Sequence, residues 1–295
     1  MWHSSKAAPM LVALTIILAG LIVSACSPLT AFNALAPADG GAELAQSAVS
    51  YGPLPRQKLD IYKPEGNSGP HPVVVVFYGG SWNSGRRQDY AFLGRALASR
   101  GFVAVVADYR LVPEIRFPVF LEDAALAVVW AQKNAQNFGG DPARLFLFGH
   151  SAGAYIAAMV ALDGQYLKAV GASPAIIKGV AALSGPYDFL PLDVDSTKAA
   201  FGQAHDLNLT QPVNFVTAAA PRMFLASGAD DTTVRPRNTK ALAEKLGRAG
   251  VPVTTKYYPG LGHVGILLAL SRPFRRNAAV LDDVTEFIAF GATRR

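Results

Sequence analysis

The stretch Leu145-Phe146-Leu147-Phe148-Gly149-His150-Ser151-Ala152-Gly153-Ala154-Tyr155-Ile156-Ala157-Ala158 decides the fold. Four apolar residues run into Gly149, and a helical pattern of mostly small residues starts at Ala152. A short continuous apolar run reads as a strand covered on both faces. A strand that becomes a helix within a few residues has no room for side chains beside the turn, and Gly149 and Gly153 meet that demand. In this setting G-x-S-x-G lifts a serine hydroxyl above the end of a sheet. Ser151 also stands at a helix N-terminus, where free N–H groups and the macrodipole favour developing negative charge.

Outward from this turn, strand and helix patterns alternate. Val73–Tyr78, Val103–Ala107, Leu145–Phe148, Gly179–Leu183, Met223–Ala226 and Val253–Tyr258 read as strands. Helix patterns lie near Asp89–Ser99, Val119–Asn137, Ala152–Leu162, Arg237–Arg248 and Ala278–Phe290. Gly101, Gly139-Gly140 and Gly250 follow three of them, where left-handed helix stops are expected. The alternation predicts an α/β fold, a mainly parallel sheet with helices on both faces. Arg56–Tyr62 reads as an antiparallel edge strand.

A serine needs a base to become a good nucleophile. The chain has five histidines, and only His205 and His263 follow Ser151, as the order serine, acid, histidine requires. His263 ends the turn Pro259-Gly260-Leu261-Gly262-His263 just past a strand, the expected place for the base, whereas His205 reads as a surface residue. The acid is expected after Met223–Ala226, in Ser227-Gly228-Ala229-Asp230-Asp231-Thr232-Thr233-Val234. Two adjacent carboxylates point in different directions, so one of them holds the imidazole; Asp231 is favoured over Asp230, which reads as a turn residue. Oxyanion donors are expected at Gly79 and Gly80, where glycines let backbone N–H groups approach a carbonyl, together with Ala152.

These pieces together resemble the esterase/lipase branch of the α/β-hydrolase superfamily, near the bacterial feruloyl- and acetyl-esterase-like enzymes, carboxylesterases and kynurenine-formamidase-like enzymes. The likeness spans Tyr51 to Ala292 and includes Arg56-Gln57-Lys58-Leu59-Asp60-Ile61-Tyr62-Lys63-Pro64, Asp108-Tyr109-Arg110-Leu111 and Leu183-Ser184-Gly185-Pro186-Tyr187-Asp188. The spacing G-x-x-D-x-x-V of that family also selects Asp231. Two departures stand out: Tyr78 replaces the usual histidine of the oxyanion loop, and Ser81 stands where lipase-type loops have a third glycine. The resemblance implies an α/β-hydrolase fold with a small cap between Pro186 and Pro221, and hydrolysis of small or medium acyl esters through an acyl-enzyme. It also implies Trp82, Phe117, Tyr155 and Tyr187 as candidate pocket residues, and neither metal nor organic cofactor. Formamidase or amidase chemistry, and a non-catalytic binding protein with a hydrolase shell, are the alternatives. A dinucleotide-binding reading of Gly260-Leu261-Gly262-His263-Val264-Gly265 fails because too little chain follows it.

Composition bounds the remaining readings. With 51% apolar and 16% charged residues the chain can bury a large core and is not a disordered sequence. Net charge is +6, but no Lys/Arg run of motif length exists, so nucleic acid is not an expected partner. Lys6 precedes an apolar run, Met10 to Val23, which ends in Val23-Ser24-Ala25-Cys26. This resembles a bacterial lipoprotein signal, with cleavage after residue 25 and lipid on Cys26, the sole cysteine. The expected organisation is a leader over 1–25, a lipidated Cys26 with a flexible Ala/Gly/Pro-rich tether to residue 50, and a hydrolase domain over 51–295. The expected address is the bacterial cell envelope, with the membrane as partner through the anchor. By the same resemblance, Ser27 favours the outer membrane in a Gram-negative source.

Overall fold

The computed structural model describes residues 28–66 and 69–293. The leader and Cys26 lie outside the described residues. In chain order the elements are α1 (Pro28–Leu35), β1 (Ala42–Ser50), β2 (Lys58–Pro64), β3 (His71–Phe77), α2 (Ala91–Ala98), β4 (Val103–Ala107), α3 (Val119–Asn134) and β5 (Gly140–His150). They continue with α4 (Ala152–Leu162), α5 (Gln165–Ala169), β6 (Ile177–Leu183), α6 (Asp195–Phe201), β7 (Arg222–Gly228), α7 (Arg237–Arg248), β8 (Val253–Tyr258), α8 (His263–Leu268) and α9 (Val280–Thr293).

One eight-stranded sheet runs in the order β1-β2-β4-β3-β5-β6-β7-β8. From β4 to β8 all neighbours are parallel; β1 and β2 are antiparallel additions at one side. The central strands explain their own composition. Val73 through Phe77 and Leu145 through Phe148 are all fully buried, because helices cover both faces and leave no side of the pleat for polar residues. α4 is apolar all round and every residue in it is buried, so it is an internal element set by packing and not by an amphipathic face. This is the α/β-hydrolase fold, with a cap segment between β6 and β7 that carries α6.

The segment expected as a flexible tether is different where it is described. Pro28–Leu35 is helical and Ala42–Ser50 is the sheet's true edge strand, so Lys58–Pro64 lies second and not at the edge. Asn33 bonds the Phe92 N–H and the Asp89 carbonyl, and Asp39 accepts two bonds from the Arg275 guanidinium at 2.7 and 2.8 Å. β1 pairs by backbone, and most of its side chains face solvent. Its Ala/Ser/Gln composition therefore carries no period-2 apolar signal, which is why it reads as linker. No helix among the described residues is long and apolar enough to cross a membrane.

Candidate active site

Ser151 occupies the turn between β5 and α4 with φ 56° and ψ −124°. Such a conformation costs a non-glycine residue on the order of 1–3 kcal/mol and needs its surroundings to hold it. Here the Ser151 N–H donates to the Leu183 carbonyl at 2.9 Å, and the Ser151 carbonyl accepts from the Tyr155 N–H at 3.1 Å. The flanking glycines are obligatory. A β-carbon on Gly149 would run into the Gly153 backbone, and one on Gly153 into the Phe77 carbonyl.

Two loops from the same end of the sheet meet Ser151. His263 opens α8, and its Nε2 lies 2.8 Å from Ser151 Oγ. Its Nδ1 lies 2.8 Å from Asp231 Oδ2. The second carboxylate oxygen, Oδ1, accepts from the N–H groups of Thr233 at 3.0 Å and Val234 at 2.8 Å. Burial pushes the Asp231 carboxyl up in pKa, but the bonds from His263 and the Val234 N–H outweigh it and hold the group below its ordinary value. Asp231 therefore stays ionised and fixes Nδ1 as the protonated nitrogen, leaving Nε2 free to accept from Ser151. Of the two adjacent carboxylates, Asp231 is buried and faces the ring, whereas Asp230 is exposed and its N–H donates to the Leu261 carbonyl at 3.1 Å.

The oxyanion loop differs from expectation at one donor. The Gly79 N–H donates to Tyr90 Oη at 3.0 Å and so is not offered to a substrate. Ser81, in the left-handed region at φ 51°, lines the same cavity as Ser151 and Ala152. Ala152 opens α4, and its N–H has no acceptor within the helix because the first turn of a helix offers none. Tyr78, the residue in place of the usual histidine, is fully buried and stacks on Tyr109 at 4.6 Å. The Tyr109 hydroxyl donates to the Tyr78 carbonyl at 2.9 Å, and Arg56 donates to Tyr78 Oη at 3.1 Å. Two stacked rings and a guanidinium thus brace the loop in this chain.

His150, the residue before Ser151 in the turn, is packed against His263. Its ring lies 4.9 Å from that of His263, its Nε2 is 2.9 Å from the His263 carbonyl, and its Nδ1 is 3.1 Å from Tyr90 Oη. Burial, with the neighbouring His263 second, drives its pKa down to about 3, so it is neutral near pH 7. Nothing in the sequence signals the partnership, since Tyr90 is sixty residues away.

A cavity of about 360 Å³ opens above Ser151. Trp82, Pro186, Phe189 and Val194 give it apolar surface, and Thr232, Thr233, Arg235 and Arg237 give it polar surface. Of the four pocket residues expected from the resemblance, Trp82 alone lines it. Tyr155 and Tyr187 are fully buried. Tyr155 packs edge-on against Trp82 at 5.4 Å and lies 5.2 Å from Phe201. Phe117 faces a separate cavity of about 500 Å³, lined also by Tyr166 and His205, which does not contain Ser151. The correction has one cause: the cap helix α6 drives Phe201 into a nest with Trp82, Phe120, Tyr155 and Phe189, and that nest divides the two cavities. Phe189 and Arg235 stand on loops, whose side-chain directions carry no periodic signal, and Arg237 is the first residue of α7.

The BD-FAE family model matches residues 59–246. The chain belongs to the BD-FAE family. It is 32% identical over 244 residues to a probable isoprenylcysteine alpha-carbonyl methylesterase of Oryza sativa subsp. japonica, covering 75% of this chain and 57% of the relative. It is 30% identical over 238 residues to the esterase LipC of Mycobacterium tuberculosis, covering 73% of this chain and 58% of the relative. The chain thus spans little more than half the length of these curated relatives. Among solved structures, esterase B of Lactobacillus rhamnosis superimposes with a TM-score of 0.77 at 22% identity, covering 96% of this chain and 97% of that one. At that identity the likeness bears on the fold of this BD-FAE member alone.

Proposed function

We propose that this BD-FAE member is a serine hydrolase of carboxylic esters with small or medium acyl groups, acting through an acyl-enzyme on Ser151. The observation that carries the reading is the unbroken line from Asp231 Oδ2 through the His263 ring to Ser151 Oγ, with both contacts at 2.8 Å. In the first step His263 Nε2 takes the hydroxyl proton as Ser151 Oγ bonds to the ester carbonyl carbon. The carbonyl oxygen becomes an oxyanion facing the N–H groups of Ala152, Gly80 and Ser81. The imidazolium, stabilised by Asp231, then protonates the departing alcohol, and a water deprotonated by His263 releases the acid. The cavity supports a small acyl group against Trp82 and Phe189 and a polar alcohol toward Thr232, Thr233 and Arg235. On the sequence resemblance alone, we also propose a lipid anchor at Cys26 in a bacterial envelope.

A fluorophosphonate probe tests the nucleophile: the wild type is expected to label and Ser151→Ala to stay blank. Equal labelling of the two would refute Ser151. Short p-nitrophenyl esters, the matching anilides and N-formylkynurenine then separate the chemistries. Turnover of the anilides or of N-formylkynurenine without the esters would replace the esterase reading with an amidase or formamidase, and turnover of none would favour a binding protein.

A further inference from the structure

We infer that His150 is a positioning residue that couples the oxyanion loop to the base through a hydrogen-bond chain of fixed direction, running from Gly79 through Tyr90 and His150 to the main chain of His263. The inference rests on the reading of Ser151 and His263 as nucleophile and base.

The direction follows atom by atom. His150 Nε2 lies 2.9 Å from the carbonyl oxygen of His263, which only accepts, so Nε2 carries the hydrogen. A neutral imidazole has one hydrogen, so Nδ1 is bare and accepts from the Tyr90 hydroxyl at 3.1 Å. With its hydrogen committed to His150, Tyr90 Oη has lone pairs left, and one accepts the Gly79 N–H at 3.0 Å. Tyr90 and His150 are both buried, so no water is at hand to replace a missing link. The low pKa of His150 keeps the ring neutral across the neutral range, and its two partners select the tautomer.

The chain ties together two parts that must keep register during the reaction. At one end is the loop whose next N–H groups, Gly80 and Ser81, face the oxyanion. At the other is the backbone of the residue whose ring moves the proton. Gly79 is pressed into the same corner: a β-carbon there would stand 3.0 Å from Ser151 Cβ and 3.2 Å from His150 Nδ1. Neither Tyr90 nor His150 touches the reacting carbonyl in this arrangement. Their effect belongs to the alignment of donors and base in the transition state, and so to kcat rather than KM.

The test uses the full chain with a short p-nitrophenyl ester. Tyr90→Phe keeps the ring and removes the link. It is expected to lower kcat by about tenfold, the size of one lost hydrogen bond, with KM unchanged. His150→Leu removes the acceptor for Tyr90 and the donor to the His263 carbonyl together. Adding Tyr90→Phe to it is expected to cost nothing more, because both changes cut one chain. A Tyr90→Phe enzyme with wild-type kcat, a loss confined to KM, or losses that multiply in the double variant would each overturn the coupling. If His150→Leu does not fold, Tyr90→Phe decides on the kcat criterion alone. Fluorophosphonate labelling separates the two levels of failure. A wild type that does not label at Ser151 refutes the nucleophile and the chain with it; a labelled enzyme indifferent to Tyr90→Phe refutes the chain only.

Discussion

Below the cavity, Ser151, Asp231 and His263 all stand on turns at the C-terminal end of the parallel strands, and each is held by directed hydrogen bonds. Above it, the cap reaches over with Phe189 and Phe201, which are held mainly by ring contacts with Trp82 and Tyr155 at 4.8 to 6.5 Å. The two sides obey different physics. A hydrogen bond weakens steeply with angle and distance, so the floor has one working geometry. Apolar packing depends on area and volume and accepts repacking, so the roof can change shape while the floor keeps its chemistry. On the proposed function, a division of this kind would let one catalytic frame serve different esters.

The largest expected effect tests how directional the floor is. Asp231→Asn is expected to lower kcat on the order of 10⁴-fold, since the amide favours the wrong imidazole tautomer. Asp230→Asn, one residue away on an exposed side chain, is expected to leave kcat essentially unchanged. Steady-state kinetics of the two variants decide, and equal losses would break the assignment of the acid.

Acid stability is the next measure, and the floor supplies two groups whose shifted pKa values bear on it. His150 titrates near 6.5 in an unfolded chain and at about 3 when folded. Between those values the unfolded state binds more protons, so stability is fully present above about pH 6.5 and is lost as pH falls toward 3. The slope from this one group approaches about 1.4 kcal/mol per pH unit inside the window. Asp231, with its lowered pKa, adds a loss of the same sign at still lower pH. Thermal unfolding midpoints from pH 7 to pH 4 are expected to fall, and His150→Gln to flatten that fall. A variant with the wild-type slope would place the acid sensitivity elsewhere.

The smallest effects probe the roof. Phe189→Ala, which strips one wall of the cavity over Ser151, is expected to raise KM several-fold for short p-nitrophenyl esters while kcat changes less. Phe117→Ala, on the other cavity, is expected to move neither constant. A Phe117 effect as large as that of Phe189 would mean that substrate crosses the aromatic nest.

The difference between floor and roof also explains what the sequence made legible. The turn at Ser151 is readable because sterics leave no alternative to Gly149 and Gly153, and His263 because chain order removes nearly every other histidine. Strand limits such as Val103–Ala107 and Val253–Tyr258 follow from continuous runs or strand-rich composition. The roof is not readable in this way. The contact of Phe201 with Trp82 joins residues more than a hundred positions apart, and an aromatic in a cap looks the same whether it faces a cavity or fills a nest. Tyr90 and His150 escaped for a related reason, since hydrogen bonds between distant residues leave no local pattern. Gly79 was assigned by its freedom from a side chain, but whether its N–H is open depends on a tyrosine that no spacing rule brings near.

β1 has a consequence for how the chain behaves in company. Its backbone covers the outer side of β2, where Leu59, Ile61 and Tyr62 are almost wholly buried. A chain cut at residue 51 would keep every residue of the cavity above Ser151 and lose that cover, leaving β2 a bare apolar edge ready to pair with the next molecule. The small-residue composition of residues 42–50, rich in Ala and Ser, is therefore suited to a guard strand: it closes the sheet on its inner side and offers solvent a surface with few large side chains for another sheet to pack on.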